Sequence, residues 1–335
     1  MNDVWILAEH TNGVIKEVTY ELLSWGRSLA DELGKSLVSV LLSSHTSDED
    51  LTSLIAMGSD SILYVEDDSL RYADCIRYST VLKDLVEKEK PQIFLASATT
   101  TGRTIMPYLA VKIGSGLTAD CTELSIEKES KLLLQTRPAI GGNIMATIKS
   151  PNHTPQMATL RPKSKKPLPR DTSRNGNIEK IDFDTTSIVS HVEVLGIEEL
   201  VDDQGAIEEA AIVVSGGKGL KKKDNFVLIH QLAHLLGAKV GASREAVDRG
   251  WIGYSHQVGL SGKTISPELY MAIGISGAVQ HLAGIKTASH IVSINSDKNE
   301  PIIQISDFAL VGDLFVIIEE LKRQLAQREV QDDSL

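Results

Sequence analysis

Apolar and polar positions follow two rhythms along the first third of this chain. Short continuous apolar runs recur at Val4-Trp5-Ile6-Leu7-Ala8, Ser36 to Leu42, Ile62 to Val65 and Ile93 to Ser97. Between them lie longer stretches with helical spacing. Thr19 to Leu33 places Leu22, Leu23, Trp25 and Leu29 at such intervals, and Tyr78 to Lys88 reads the same way. Runs that are apolar at every residue suit strands buried on both faces. Helices between such strands suit a parallel sheet, so the pattern predicts an α/β unit. After the fourth run, Thr99-Thr100-Thr101-Gly102-Arg103-Thr104 opens a helix that extends to Gly114. A loop beyond the carboxyl end of a strand is where α/β sheets present ligand contacts. The same residues also read as a helix cap with exposed threonines.

The texture changes from Leu117 to Leu160. Ala119 to Leu124, Leu132 to Arg137, Asn143 to Ile148 and Met157 to Leu160 predict antiparallel strands, with turn signals at Pro138, Gly141-Gly142 and Pro151. Residues 149–180 hold eight Lys/Arg against two Asp/Glu and are rich in Pro, Ser and Asn. They read as a loop, either a solvated linker or an arm that contacts a partner. A strand over Ile188 to Leu195 and a polar stretch from Glu198 to Glu209 place a domain boundary near residue 200. A second α/β alternation then predicts a strand over Ala211 to Val214, a helix over Phe226 to Leu236 and a strand near Lys239 to Gly241. Helices over Pro267 to Ile273 and Ser276 to Leu282 follow. Strands over Ile291 to Ile294 and Pro301 to Ile305 and a helix over Leu310 to Gln327 complete it. No internal repeat is visible.

Composition narrows the function classes. A length of 335 residues suggests about two domains, and 42% hydrophobic residues exclude a disordered chain. Aromatics are 4%, so the core is aliphatic. A net charge of -11 excludes nucleic-acid binding through bulk charge. Two cysteines, Cys75 and Cys121, exclude a disulfide scaffold and a four-cysteine metal or iron–sulfur site, and fit a reducing compartment. No apolar run approaches the ~20 residues that span a bilayer. Because Val4 already opens a strand, no targeting segment is expected before the fold, and the expected location is the cytoplasm.

Candidate chemistry concentrates in the second half. Val213-Val214-Ser215-Gly216-Gly217-Lys218-Gly219-Leu220 reads as a strand, a glycine turn and basic residues. Glycines there allow close backbone approach to a phosphate, although the spacing is neither GxGxxG nor a Walker loop. Gln257-Val258-Gly259-Leu260-Ser261-Gly262-Lys263-Thr264 ends like a P-loop. It has Gln257 where that motif needs glycine, and no buried strand precedes it, which argues against an NTPase loop and leaves a nucleotide loop of another kind open. Gly274-Ile275-Ser276-Gly277-Ala278-Val279-Gln280-His281-Leu282 reads as a helix starting at Ser276, with N–H groups open to a pyrophosphate. His281 reads either as a satisfied core residue or as a contact to a flavin or substrate. Asp297, Asp307 and Asp313 pair with no histidine at metal spacing, so no metal is expected. No Ser-His-Asp or Cys-His set is present.

Taken together, several blocks resemble the electron-transfer flavoprotein α-subunit family. They are Val214 to Leu220, Gly241 to Asp248, Gln257 to Lys263, Gly274 to Gly284, Ile294 to Asp297 and Asp307 to Phe315. In the first half, Thr100 to Arg103, Thr118 to Cys121 and Thr136 to Asn143 also match. The resemblance covers nearly the whole chain. It implies an N-terminal α/β nucleotide-hydrolase-like domain over 1–200 that faces a β subunit. It implies a flavodoxin-like, doubly wound FAD-binding domain over 205–335. It also implies an obligate heterodimer with the electron-transfer flavoprotein β subunit, exchanging electrons with acyl-CoA dehydrogenase-type flavoenzymes.

The resemblance implies a cofactor-binding set of Lys218, Ser243, Arg244, Gln257, Val258, Gly259, Leu260, Ser261, Ser276, Gly277, Ala278, Val279, Gln280, His281, Asn295, Asp313 and Leu314. Within it, Arg244 lies over the isoalloxazine, where a fixed cation favours the reduced anionic flavin. Ser261 stands near flavin N5 in place of the usual threonine. His281 approaches the O2 carbonyl and supports the half-reduced, anionic flavin. Gln257 lies along the ribityl chain. Ser276 to Ala278 and Ser243 serve the pyrophosphate and its neighbouring ribityl. Asn295 and Asp313 hold the adenosine half. Leu260 replaces a common glutamine, and Lys218 replaces a common arginine, exchanging a bidentate fork for a point charge. The form Gly250-Trp251-Ile252 with His256 to Thr264 looks closer to electron-bifurcating members from anaerobic bacteria, which use a second FAD on the β subunit and NADH. An N-terminal ferredoxin-like extension, present in some relatives, is not expected here. Two other readings compete: a stand-alone nucleotide-dependent α/β enzyme, and an adenine-nucleotide sensor or assembly module.

Overall fold

The computed structural model describes residues 3–138, 144–190, 192, 194–196 and 207–332. It divides into two units, Met1–Ile197 and Glu198–Leu335.

In the first unit, strand β1 (Val4–Leu7) leads into a two-strand hairpin, β2 (His10–Thr11) and β3 (Val14–Ile15). Helix α1 (Glu17–Leu33), β4 (Leu37–Ser43), α2 (Asp48–Ala56), β5 (Ser61–Glu66), α3 (Cys75–Glu89), β6 (Ile93–Ser97) and α4 (Thr100–Ile113) alternate after it. They are followed by β7 (Leu117–Cys121), β8 (Glu123–Ile126), β9 (Leu133–Pro138), β10 (Met145–Ile148), β11 (Gln156–Leu160) and β12 (Asn177–Lys180). A seven-stranded parallel sheet runs β12-β5-β4-β1-β6-β11-β7. The alternation of side chains along a strand divides its core into two layers. Val4 and Ile6 of β1 pack with Leu22, Leu23 and Leu54 of α1 and α2. Trp5 and Leu7 pack with Val81, Leu82, Ile105 and Leu109 of α3 and α4.

Four expectations for this unit change. Of the strands predicted between Leu117 and Leu160, those that pair antiparallel are β8, β9 and β10. Met157 to Leu160 and much of Ala119 to Leu124 instead enter the parallel sheet as β11 and β7. β11 is buried at every residue, and turn signals before it mark a boundary without setting strand direction. Of the predicted strand from Asn143, Met145–Ile148 is strand, while Asn143 lies outside the described residues, as do Gly141 and Gly142. The basic stretch is not a free arm. Arg161 pairs with Asp120, Arg174 with Asp60 and Lys180 with Glu66, and its end forms β12 on the sheet edge. β12 is exposed throughout, so it carries no hydrophobic signal. The predicted strand over Ile188 to Leu195 is not strand where it is described; Val189 and Leu195 are exposed there, and residues 191 and 193 lie outside the described set. Helix α2 was not predicted. Its legible signal is the cap, where Ser47 Oγ accepts from Asp50 N–H.

In the second unit, β13 (Ile212–Gly216), α5 (Phe226–Leu235), β14 (Lys239–Ala242) and α6 (Arg244–Asp248) come first. β15 (Leu269–Ile273), α7 (Val279–Leu282), β16 (His290–Asn295), α8 (Pro301–Gln304), β17 (Phe308–Val311) and α9 (Leu314–Asp332) follow. The five strands are parallel in the order β14-β13-β15-β16-β17. That is the 2-1-3-4-5 order of a doubly wound, flavodoxin-like sheet.

Here the local reading fails at short apolar segments. Pro267 to Ile273, predicted as a helix, contains β15, because a five-residue apolar run fits a central strand as well as a helical turn. Pro301 to Ile305, predicted as a strand, contains α8, with proline in its first turn, where the missing N–H costs nothing. The predicted helix over Leu310 to Gln327 divides into the end of β17 and α9, separated by Gly312-Asp313. The helix expected from Ser276 begins at Val279. Gly277 has φ +84°, outside helical backbone, and a Cβ there would lie 2.4 Å from the Ile302 nitrogen.

Candidate functional site

The crossover from β13 to β14 lies on one side of β13, and β15 lies on the other. Crevices at such switch points, beyond the carboxyl ends of the strands, are where open α/β sheets take ligands. A cleft of about 1150 Å³ opens there. Its walls come from the turns after β13, β14, β15, β16 and β17, the 258–261 loop and α7.

The turns after β13 and β15 meet backbone to backbone. Gly217 N–H donates to the Ile273 carbonyl at 2.9 Å, and Gly219 N–H donates to the Gly274 carbonyl at 2.9 Å. The glycine turn therefore spends these two N–H groups on its neighbour, while Lys218 and Gly219 still line the cleft. Backbone N–H groups without a partner lie in the turn after β15. The N–H groups of Ser276, Gly277 and Ala278 make no hydrogen bond among the described residues.

Ser243 takes the N-cap position of α6, but its side chain makes no cap bond. Its Oγ is buried in the cleft wall without a partner among the described residues. An unpaired buried hydroxyl is costly, and this one leaves an unused donor and acceptor in the cleft wall. Arg244 opens α6 and is largely exposed. Its Nε reaches Asp248 Oδ2 at 3.2 Å. Lys218 lies 3.7 Å from Glu245, and the Arg249 hydrogen bond, helped by Lys218, holds the Glu245 carboxyl below its usual range. Cations and carboxylates thus alternate around this end of the cleft.

On the opposite wall, Val258, Gly259, Leu260 and Ser261 form a loop tied to α7, with Leu260 N–H donating to the Gln280 carbonyl at 2.7 Å. Leu260 is exposed. Gln257 lies behind this loop rather than in the wall. It is buried, its Nε2 donates to Ser261 Oγ at 3.2 Å, and its carbonyl accepts from Lys263 N–H. It therefore positions Ser261.

Asn295 is nearly buried. Its amide donates to the Ile275 carbonyl at 2.9 Å and so clamps the turn after β15. Asp313 accepts from Phe315 N–H at 2.8 Å and starts α9, while Leu314 packs against Gly274. His281 is buried at the cleft wall, its Nε2 2.7 Å from the Tyr270 hydroxyl. Burial pushes its pKa down to about 4, and the Val258 backbone opposes this to a lesser degree.

The structure therefore gathers most of the predicted set around one cleft. Gln257, Gly277 and Val279 stand outside its lining. Gly277 packs on Ile302, and Val279 is exposed. Lining residues that the sequence reading missed include Lys221, Glu245, Asp248, Glu300 and Phe315. Lys221 Nζ sits 5.5 Å over the Phe315 ring. Glu245 and Asp248 were legible as α6 neighbours of Arg244, but Lys221 and Phe315 meet only in the fold.

In the first unit, Thr99 Oγ1 caps α4 by accepting from Gly102 N–H, and it donates to Glu9 at 2.6 Å. Arg103 pairs with Asp120, and Thr101 reaches a cavity of only about 140 Å³. This block is a helix cap. Among the described residues, no group of His, Cys, Asp or Glu has a metal-binding arrangement.

Comparison with known proteins supplies an independent line. A family model described as the electron transfer flavoprotein domain matches residues 4–186. A second, the electron transfer flavoprotein FAD-binding domain, matches residues 206–286. The chain is 44% identical to an electron transfer flavoprotein subunit alpha of Thermoanaerobacterium thermosaccharolyticum, over 96% of this chain and 98% of that protein. It is 41% identical to a Protein FixB of Clostridium saccharobutylicum, over 96% and 95%. It is also 36% identical to the subunit LctC of a lactate dehydrogenase (NAD(+),ferredoxin) of Acetobacterium woodii, over 99% of this chain and 78% of that protein.

Proposed function

The chain belongs to the electron transfer flavoprotein α-subunit family, and we propose that the cleft at the switch point of its second unit is where it holds the family's cofactor. The function is electron transfer, the cofactor is FAD, and the chain pairs with a β subunit. The observation that carries the placement is the unspent polarity of the cleft. The Ser243 hydroxyl and the Ser276–Ala278 N–H groups lack partners among the described residues, and Lys218, Lys221 and Arg244 stand near them. These groups suit a dinucleotide's pyrophosphate.

When bound, FAD supplies the capacity to take up and pass on electrons. The chain's own residues set the electrostatics. Arg244 offers a positive charge at the rim, so negative charge in the cleft is favoured there. Ser261, held by Gln257, presents a hydroxyl from the opposite wall. His281 is neutral in the free chain and becomes a cation only when negative charge nearby repays its desolvation. Asn295 and Asp313 hold the turns that shape the far end of the cleft.

Two finer readings are part of the proposal. The electron donors and acceptors are flavoenzymes of the acyl-CoA dehydrogenase type. The pair also bifurcates electrons from NADH, which is supported by likeness to a subunit of an NAD- and ferredoxin-dependent lactate dehydrogenase. We further propose a cytoplasmic location. Among the described residues, no helix is long and apolar enough to cross a membrane.

The test is to purify the tagged chain with the subunit it retains and to count acid-released FAD. One FAD per pair fits a plain carrier. Two, with reduction by NADH, fit bifurcation. No FAD in a folded preparation overturns the cofactor assignment.

A further inference from the structure

Tyr270 lies at the centre of the second unit. It sits on β15 between Val213 of β13 and Ile291 of β16, and it is fully buried among Val258, Ile265, Ile275 and Ile302. Its hydroxyl reaches across to His281 Nε2 at 2.7 Å, with the two rings 6.0 Å apart and tilted by 47°. A buried phenol in an otherwise apolar cluster costs stability unless its hydroxyl is paired. A phenylalanine would fill the same space, and the hydroxyl finds its pairing at the imidazole.

We propose that Tyr270 is a positioning residue for His281: its hydroxyl donates to Nε2, which places the neutral ring's proton on Nδ1 and leaves the ring able to take a second proton when negative charge enters the cleft. The proposal rests on the cofactor placement given above. His281 Nδ1 is buried and makes no hydrogen bond among the described residues. Nε2 is occupied by Tyr270, and the Val258 backbone favours the protonated ring. Burial holds the Tyr270 hydroxyl protonated far above neutral pH, so it has a proton to donate. When the ring takes up a proton from solvent, that proton bonds to Nε2, and both nitrogens of the cation carry hydrogen. The same hydroxyl then rotates and accepts from Nε2–H, with the neighbouring Ser215 available to it. A hydroxyl can make this exchange of roles without any movement of heavy atoms.

The experiment uses the full chain, purified with the subunit it retains and labelled with ¹⁵N-histidine. The wild type is compared with Tyr270→Phe, and His281→Gln identifies the signal among nine histidines. The expected wild-type signal has a protonated Nδ1 and a hydrogen-bonded, unprotonated Nε2. In Tyr270→Phe that tautomer preference collapses or reverses. In the same variant, with FAD still bound, the first reduction of the flavin becomes less favourable by roughly tenfold, which is about 59 mV for one electron. A wild-type His281 protonated at Nε2, or an unchanged tautomer and potential in Tyr270→Phe, overturns the proposal. A merely structural tyrosine would lower stability without moving either readout. If Tyr270→Phe does not fold, the wild-type tautomer decides alone. If the wild type carries no FAD, the cofactor placement falls, and the tautomer still judges Tyr270 separately.

Discussion

Gly219 and Gly274 touch through their backbones. A Cβ on Gly219 would lie 2.6 Å from Gly274 Cα, and one on Gly274 would lie 2.8 Å from Gly219 Cα. This contact joins the turns after β13 and β15 and so shapes the floor of the cleft between them. Gly219→Ala forces the turns apart. The expected cost is about 1–3 kcal/mol of stability, as for other overpacked sites, together with loss of bound FAD. Gly253→Ala is the control, because its added methyl would meet only Ser255 Oγ at 3.7 Å. Thermal unfolding and FAD content of both variants check this.

The Ser243 hydroxyl makes no bond within the described protein. Ser243→Ala should therefore leave the cofactor-free chain as stable as the wild type or slightly more stable. FAD affinity should fall roughly threefold to tenfold, the worth of one hydrogen bond. Fluorescence titration of the stripped chain with FAD measures it. Equal affinity in both proteins would show that the hydroxyl does not serve the ligand.

Arg244 and Asp248 form an exposed pair, which contributes about 0–1 kcal/mol to stability. Arg244→Ala should hardly move the unfolding temperature. It should lower the flavin potential by tens of millivolts, because a cation that offsets the charge gained on reduction is gone. Asp248→Asn should move the potential the other way, since it frees Arg244 from its partner. Dye-equilibrated potentiometric titration reads both signs.

His281 predicts an acid limit for the cofactor-free chain. Its folded pKa of about 4 lies below the ordinary histidine value of 6.5. Between these values the unfolded state binds a proton that the folded state does not. Stability is thus fully present above pH 6.5 and falls as pH drops toward 4, by roughly 3 kcal/mol in all. His281→Gln should flatten that part of the profile. Denaturant unfolding at pH 7 and pH 5 compares the slopes, and parallel slopes would sink the assignment.

Much of this protein is legible from residue order alone. Runs such as Val4–Leu7, Leu37–Ser43 and Ile93–Ser97 are apolar at each step or nearly so, and their alternation with longer amphipathic stretches suits strands covered on both faces. The parallel α/β class follows from that. The glycine, serine and basic blocks between residues 213 and 315 identify the family and most of the cleft lining.

Tertiary structure decided the rest. Leu269–Ile273 and Pro301–Gln304 are too short for local propensity to choose between helix and strand. Their neighbours chose: two flanking strands for the first, and the turn at Gly277 for the second. Strand direction at Gln156–Leu160 was set by the gap between β6 and β7. Gln257 carries a motif residue's identity, yet the loop's hydrogen bonds place it behind Ser261. Tyr270 falls within the helix predicted over Pro267 to Ile273. Only the packing of β15 against α7, eleven residues on, brings its hydroxyl to His281. The sequence determines which residues prefer burial and which turns can bend. It does not encode, in any local pattern, which two distant polar atoms will be buried together, because that depends on the three-dimensional closure of the sheet and its connections.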